Sequence, residues 1–195
     1  REGRGQLAAI QNLPNILLGF GSLGISTAAA YLSGRQPHLA GRFMTTSLIV
    51  MLLWSIPLVM IVYFAMPVLL SSQSREVIQY AQIYLLIIPI QFAIGAPFWV
   101  LQGIGEFKIW NILRLQAPIA WVAIIGVTWA LNLVTVSTIL LLHLAAMLLI
   151  AFVFIALGRK KISGPYRPQF SRLPELLRYG LPTCLTAVPQ QLNQR

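Results

Sequence analysis

Acidic side chains are nearly absent from this sequence. Aspartate does not occur, and the four acids are Glu2, Glu76, Glu106 and Glu175. All four fall in gaps or at the ends of apolar runs, so no paired carboxylates stand inside a run for acid–base chemistry. Cation coupling through a buried acid would have to rely on residues outside this chain. Cys184 is the sole cysteine, which excludes an internal disulfide and a cysteine-based metal cluster. His38 and His143 lie too far apart in sequence to suggest shared metal ligation. The sequence has no HExxH, GxSxG or Walker pattern. No enzymatic activity, cofactor or metal is therefore expected. The chain opens at Arg1 without a charged segment leading into a short apolar one, so no signal peptide is expected either.

Charge of either sign is scarce, at 9% of residues, where a soluble domain usually carries about 25%. That leaves too little to cover a water-facing surface. Hydrophobic residues instead make up 57% of the chain and fall in long runs. About 20 residues at 1.5 Å rise cross a ~30 Å hydrocarbon core. The expected fold class is an all-α, polytopic transmembrane helix bundle. Five complete spans are expected at about 7–32, 43–70, 80–104, 112–133 and 137–157, then a linker at 158–180 and a truncated sixth span at 181–195. Pro57, Pro89, Pro97 and Pro118 lie inside these runs. Lipid tolerates such prolines when packed neighbours satisfy the freed carbonyls, which favours a bundle over isolated anchors.

The net charge of +10 would suit nucleic acid, but the basic residues occupy short gaps rather than one soluble face, so no nucleic-acid partner is expected. Alternate gaps hold Arg35 and Arg42, then Lys108 and Arg114, then Arg159, Lys160, Lys161, Arg167, Arg172 and Arg178. The positive-inside rule puts these gaps in the cytoplasm, which implies a multi-pass protein of the cytoplasmic (inner) membrane whose first run enters from outside. The linker opens with a basic cluster and continues as a short amphipathic helix with Phe170, Leu173, Leu176 and Leu177 on one side. It can tether two helix groups, and it can also lie against anionic membrane lipid.

Gly19-Phe20-Gly21-Ser22-Leu23-Gly24 matches GxGxxG, but inside a spanning run, with no acid about 20 residues on, it does not read as a dinucleotide site. Asn12, Asn15, Gly19, Ser22 and Ser26 follow helical steps of three and four. A stripe of this kind faces a bundle interior, either as a close helix seam or as the wall of a polar cavity. Gln91, Gly95, Phe98 and Gln102 make a second such stripe beside Trp99. His143 stands alone in the fifth run, read as either an internally hydrogen-bonded group or a proton relay.

Three stretches carry a resemblance. They are EGRGQLAAIQNLPNILLGFGSLGISTAAAYLSGR from Glu2 to Arg35, LQGIGEFKIWNILRL from Leu101 to Leu115, and LLRYGLPTCLTAVPQQLNQR from Leu176 to Arg195. In order and spacing they resemble the polysaccharide-export branch of the MOP exporter superfamily, the lipid-linked oligosaccharide (Wzx-type) flippases. The resemblance implies helices two to six and the start of seven, most of one lobe of a two-lobed exporter. The missing second lobe of the same chain is then a partner, along with membrane lipids. It further implies a lipid-linked oligosaccharide substrate moved by alternating access, with the site at the lobe interface. Guanidinium suits a phosphate head, so Asn111 and Arg114, together with Asn12 and Asn15, are expected on the path. Arg35, Arg42 and Lys108 stand at the cytoplasmic helix ends where cargo would load, and alternatively serve only to fix topology. Two readings stay open beside this one: a drug/cation antiporter of the same superfamily, and a non-transporting membrane subunit of a glycan assembly complex.

Overall fold

The computed structural model describes residues 2–192, and within them the chain is helical without a strand. The last three residues of the expected sixth span, and with them most of its Leu-Asn-Gln-Arg motif, lie outside the described residues. The helices are α1 (Glu2–Gly21), α2 (Ile25–Arg35), α3 (Ala40–Leu69), α4 (Arg75–Tyr84), α5 (Ile87–Gly103), α6 (Phe107–Arg114), α7 (Gln116–Ala130), α8 (Val136–Lys161) and α9 (Leu173–Leu192). Four helical stretches are long and apolar enough to cross a membrane: Pro37–Leu69, Arg75–Gly103, Phe107–Ala130 and Val136–Lys161.

Two of these stretches are each a pair of helices, and proline explains both joints. Proline lacks an N–H, and its ring clashes with the carbonyl four residues earlier. For Pro89 that carbonyl belongs to Leu85, and the backbone tightens there into i→i−3 bonds, Leu85 to Gln82 at 3.3 Å and Leu86 to Ile83 at 3.2 Å. For Pro118 the obstructed carbonyl belongs to Arg114, and the joint falls at Leu115, which bonds back to Ile112 at 3.2 Å. The first run is divided too. Leu23 and Gly24 take positive φ values of 48° and 67°, a left-handed step that no α-helix contains. The step lets Gly24 meet Gly180 of α9, where an added Cβ would lie 2.0 Å from the Gly180 carbonyl oxygen.

Helix α5 is the centre of the bundle, packed against α2, α3 and α8. Its buried Phe92, Val100 and Leu101 share one core with Met51 of α3 and with Met147 and Phe154 of α8. The linker is strapped to the bundle. The Gly41 amide donates to the Ser163 carbonyl at 3.1 Å, and the Gln169 amide donates to Thr46 Oγ1 at 2.9 Å. Arg42 donates to Gln169 Oε1 at 3.0 Å, and Arg172 donates to Gln36 Oε1 at 3.2 Å. The amphipathic segment expected in the linker is not a separate helix. It runs unbroken into α9, because Leu176 is fully buried and Tyr179 packs on Tyr31 with ring centroids 5.0 Å apart.

Candidate functional site

Where α2, α5 and the α6–α7 joint face one another they leave a cavity of about 400 Å³. The step at Leu23 and Gly24 begins α2 beside it, so Ser22, Ser26 and Thr27 line one wall. Helix α5 supplies the opposite wall with Gln91, Gly95, Phe98 and Trp99. The proline joint closes the end with Arg114 and Gln116.

Polar groups punctuate an otherwise apolar surface. Ser26 Oγ lies 3.6 Å from Met51 Sδ, and Gln91 Nε2 lies 3.8 Å from Met147 Sδ. Thioether sulfur is a weak acceptor, so both groups keep most of their bonding capacity for another partner. Around the joint, Trp110 Nε1 and Gln116 Oε1 are buried atoms without a hydrogen-bond partner. The Arg114 guanidinium lies 5.5 Å over the Trp110 ring, and no carboxylate among the described residues stands within ion-pair distance of it.

A second recess, of about 560 Å³, continues toward the expected cytoplasmic end. It shares Thr27 and Trp99 with the first and adds Tyr31, Arg35, Gln102 and Phe107. Arg35 donates to Tyr31 Oη at 3.0 Å, which holds the guanidinium at the rim. The two recesses adjoin along the α2–α5 seam. At the floor of the second recess, which Ala30 and Gly103 also line, the seam is tight, since a Cβ on Gly103 would lie 2.0 Å from the Ala30 carbonyl oxygen. The small-residue face of the first run is thus a close seam at Ala30 and a cavity wall at Ser22 and Ser26.

Of the residues singled out from the sequence, Ser22, Gln91 and Arg114 share the cavity, while Arg35 and Gln102 share the outer recess. Asn12 and Asn15 are exposed on α1, which the step at Leu23 separates from α2. Lys108 and Asn111 are exposed on α6, and Arg42 is engaged with the linker. Trp110, Gln116 and Thr27 were not anticipated. Only the i, i+4 relation of Trp110 to Arg114, on a helix extended back to Phe107, could have pointed to the first of them.

No family model matches the chain, and no curated protein matches it. Among solved structures it is similar to the crystal structure of a MATE mutant, with a TM-score of 0.76 and 17% identity. The match covers 98% of this chain and 47% of that one, so this chain spans about half the length of that transporter. The described chain therefore shares the fold of about half of that MATE structure.

Proposed function

We propose that this chain is most of one lobe of an exporter that flips a lipid-linked oligosaccharide or polysaccharide precursor across the cytoplasmic membrane by alternating access. The observation that supports it best is a pair of adjoining recesses, one lined by Ser22, Gln91 and Arg114 and the other by Arg35 and Gln102, which share Thr27 and Trp99. Such a cargo has an anionic phosphate head and a polar glycan. Arg114 offers the planar donor fork that phosphate takes up. Gln91, Gln116, Ser22 and Thr27 offer amides and hydroxyls to sugar hydroxyls. The flat faces of Trp99 and Tyr31 suit the apolar faces of sugar rings.

The test is reconstitution of the full-length protein in liposomes with a fluorescent lipid-linked oligosaccharide. Arg114→Gln should lower the flipping rate about tenfold, the loss expected for a charge-assisted hydrogen bond, with membrane insertion unchanged. Unaltered flipping in that variant would leave Arg114 a topology signal alone. The likeness to a MATE transporter favours a second reading, a drug/cation antiporter of the same superfamily. Proton- or sodium-driven efflux of a cationic dye, without glycan flipping, would establish it instead.

A further inference from the structure

A basic linker between two helices suggests a loose tether, yet this one is fastened along its length. The Ser163 carbonyl accepts from the Gly41 amide, and the Gln169 amide donates to Thr46 Oγ1. Arg172 donates to Gln36, and its guanidinium lies 5.7 Å over the Phe43 ring. Gly164 has a φ of 101° and lies so close to the turn at Pro37–Leu39 that an added Cβ would strike the His38 carbonyl oxygen. The start of α9 continues the fastening. Leu176 is fully buried, Tyr179 packs on Tyr31, and Gly180 meets Gly24 backbone to backbone. A Cβ on Gly180 would lie 2.7 Å from the Leu23 carbonyl oxygen, so this crossing has room for glycine alone. The fastening then stops. Leu181, Pro182 and Thr183 are exposed, and Pro182 has no N–H to offer the Arg178 carbonyl. The Thr183 hydroxyl donates to the Tyr179 carbonyl at 2.8 Å, a side-chain bond of the kind that bends helices.

We infer that the joint between this lobe and the rest of the exporter lies inside α9, at Gly180–Pro182, and that the linker is a rigid strap. Residues 173–180 move with α2 and α3, and the part of α9 beyond Pro182 moves with the other lobe. Pro57 and Pro97 lie inside α3 and α5 without interrupting them, so proline alone does not make a hinge. At Pro182 the weakened turn coincides with the end of the helix's support, and a helix bends most easily there. Bending at that point leaves the strap intact. Swinging on the linker would instead break its bonds from Gly41, Arg42, Gln169 and Arg172. The inference rests on the one-lobe reading above and adds where the two lobes are joined.

The experiment uses the full-length protein in liposomes, with its other cysteines removed. Thr46→Cys with Gln169→Cys should be bridged by a short reducible bis-maleimide, and the bridged protein should flip glycan lipid within about twofold of the reduced one. Pro182→Ala should slow flipping about tenfold, with insertion and bridging unchanged. Electron-paramagnetic distance measurement reads the motion without any cargo. Spin labels at Ser72 and Arg178, both exposed, should hold a single distance. Labels at Ser72 and on the helix that follows α9 should give two, which collapse to one in Pro182→Ala. A Ser72–Arg178 distance that also splits would put the hinge in the linker and overturn the inference. So would a bridged strap that stops flipping until it is reduced, or a single distance at both pairs. If the distances behave as stated and no glycan lipid is flipped, the joint stands and the flippase reading falls. If glycan lipid is flipped only when the strap is free, the flippase reading stands and the joint falls.

Discussion

The Tyr84 hydroxyl and His143 Nδ1 lie 3.0 Å apart and join α4 to α8 inside the bundle. His143 is 4% exposed and also stacks on Trp121 of α7, with ring centroids 4.4 Å apart and an interplanar angle of 22°. One imidazole thus ties three helices together through one hydrogen bond and one ring face. The internally hydrogen-bonded reading of this residue accounts for that geometry without a relay.

That pairing gives a stability prediction. Tyr84→Phe leaves the imidazole nitrogen buried without its partner, at a cost of about 1–3 kcal/mol. His143→Leu in the Tyr84→Phe background should cost less than the two single changes added together, since both remove the same bond. Thermal unfolding of the full-length protein in detergent measures all three. Full additivity would show that the two side chains are not energetically coupled.

Glycine positions separate seam from cavity. At Gly103 an added Cβ would meet the Ala30 carbonyl oxygen at 2.0 Å, whereas at Gly95 the nearest atoms are 3.8 Å away. Gly103→Ala should push α2 and α5 apart, costing about 1–3 kcal/mol or more, and should lower the yield of monodisperse protein. Gly95→Ala should be tolerated for folding while narrowing the cavity. Size-exclusion profiles and melting curves compare the two, and equal tolerance would contradict the packing described at Ala30.

The Tyr166 hydroxyl caps the end of α8, donating among the carbonyls of Arg159, at 2.6 Å, and Ile162. Tyr166→Phe leaves those terminal carbonyls to water and should cost about 1 kcal/mol. Burial raises the phenol above its ordinary value of 10.0, with the Arg159 charge acting against it. A folded phenol that holds its proton more tightly contributes fully below the unfolded value. The contribution fades as pH rises through the raised folded value. The difference in melting temperature between wild type and Tyr166→Phe should therefore be steady near neutrality and shrink above about pH 10. A difference that grows with pH would refute the cap.

Sidedness follows from the basic gaps. With Cys184 replaced by serine, single cysteines at Gln36 and at Ser72 should react with a membrane-impermeant maleimide from opposite sides of the cell membrane. The Gln36 position should be protected in intact cells. Labelling of both from one side would dismantle the orientation and the cytoplasmic loading proposed with it.

The sequence alone determined the solvent of this protein. Scarce charge and runs of about 20 apolar residues admit few alternatives to membrane helices, because an unpaired backbone group in hydrocarbon is so costly. It did not determine the joints at Leu85 and Leu115: Pro89 and Pro118 stand beside them, but Pro57 and Pro97 lie inside the unbroken helices α3 and α5. Hydropathy did not show that the helix bearing Arg114 begins at Phe107. Lys108 and Arg114 look like a loop until a cavity gives the guanidinium somewhere polar to point. The step at Leu23 and Gly24 was equally hidden, because only contact with Gly180, far along the chain, makes a left-handed turn favourable there. Tertiary structure decided which small and polar residues became seam and which became cavity. Helical periodicity fixes only the face a residue occupies, and the distance to the facing helix settles whether that face is closed or open.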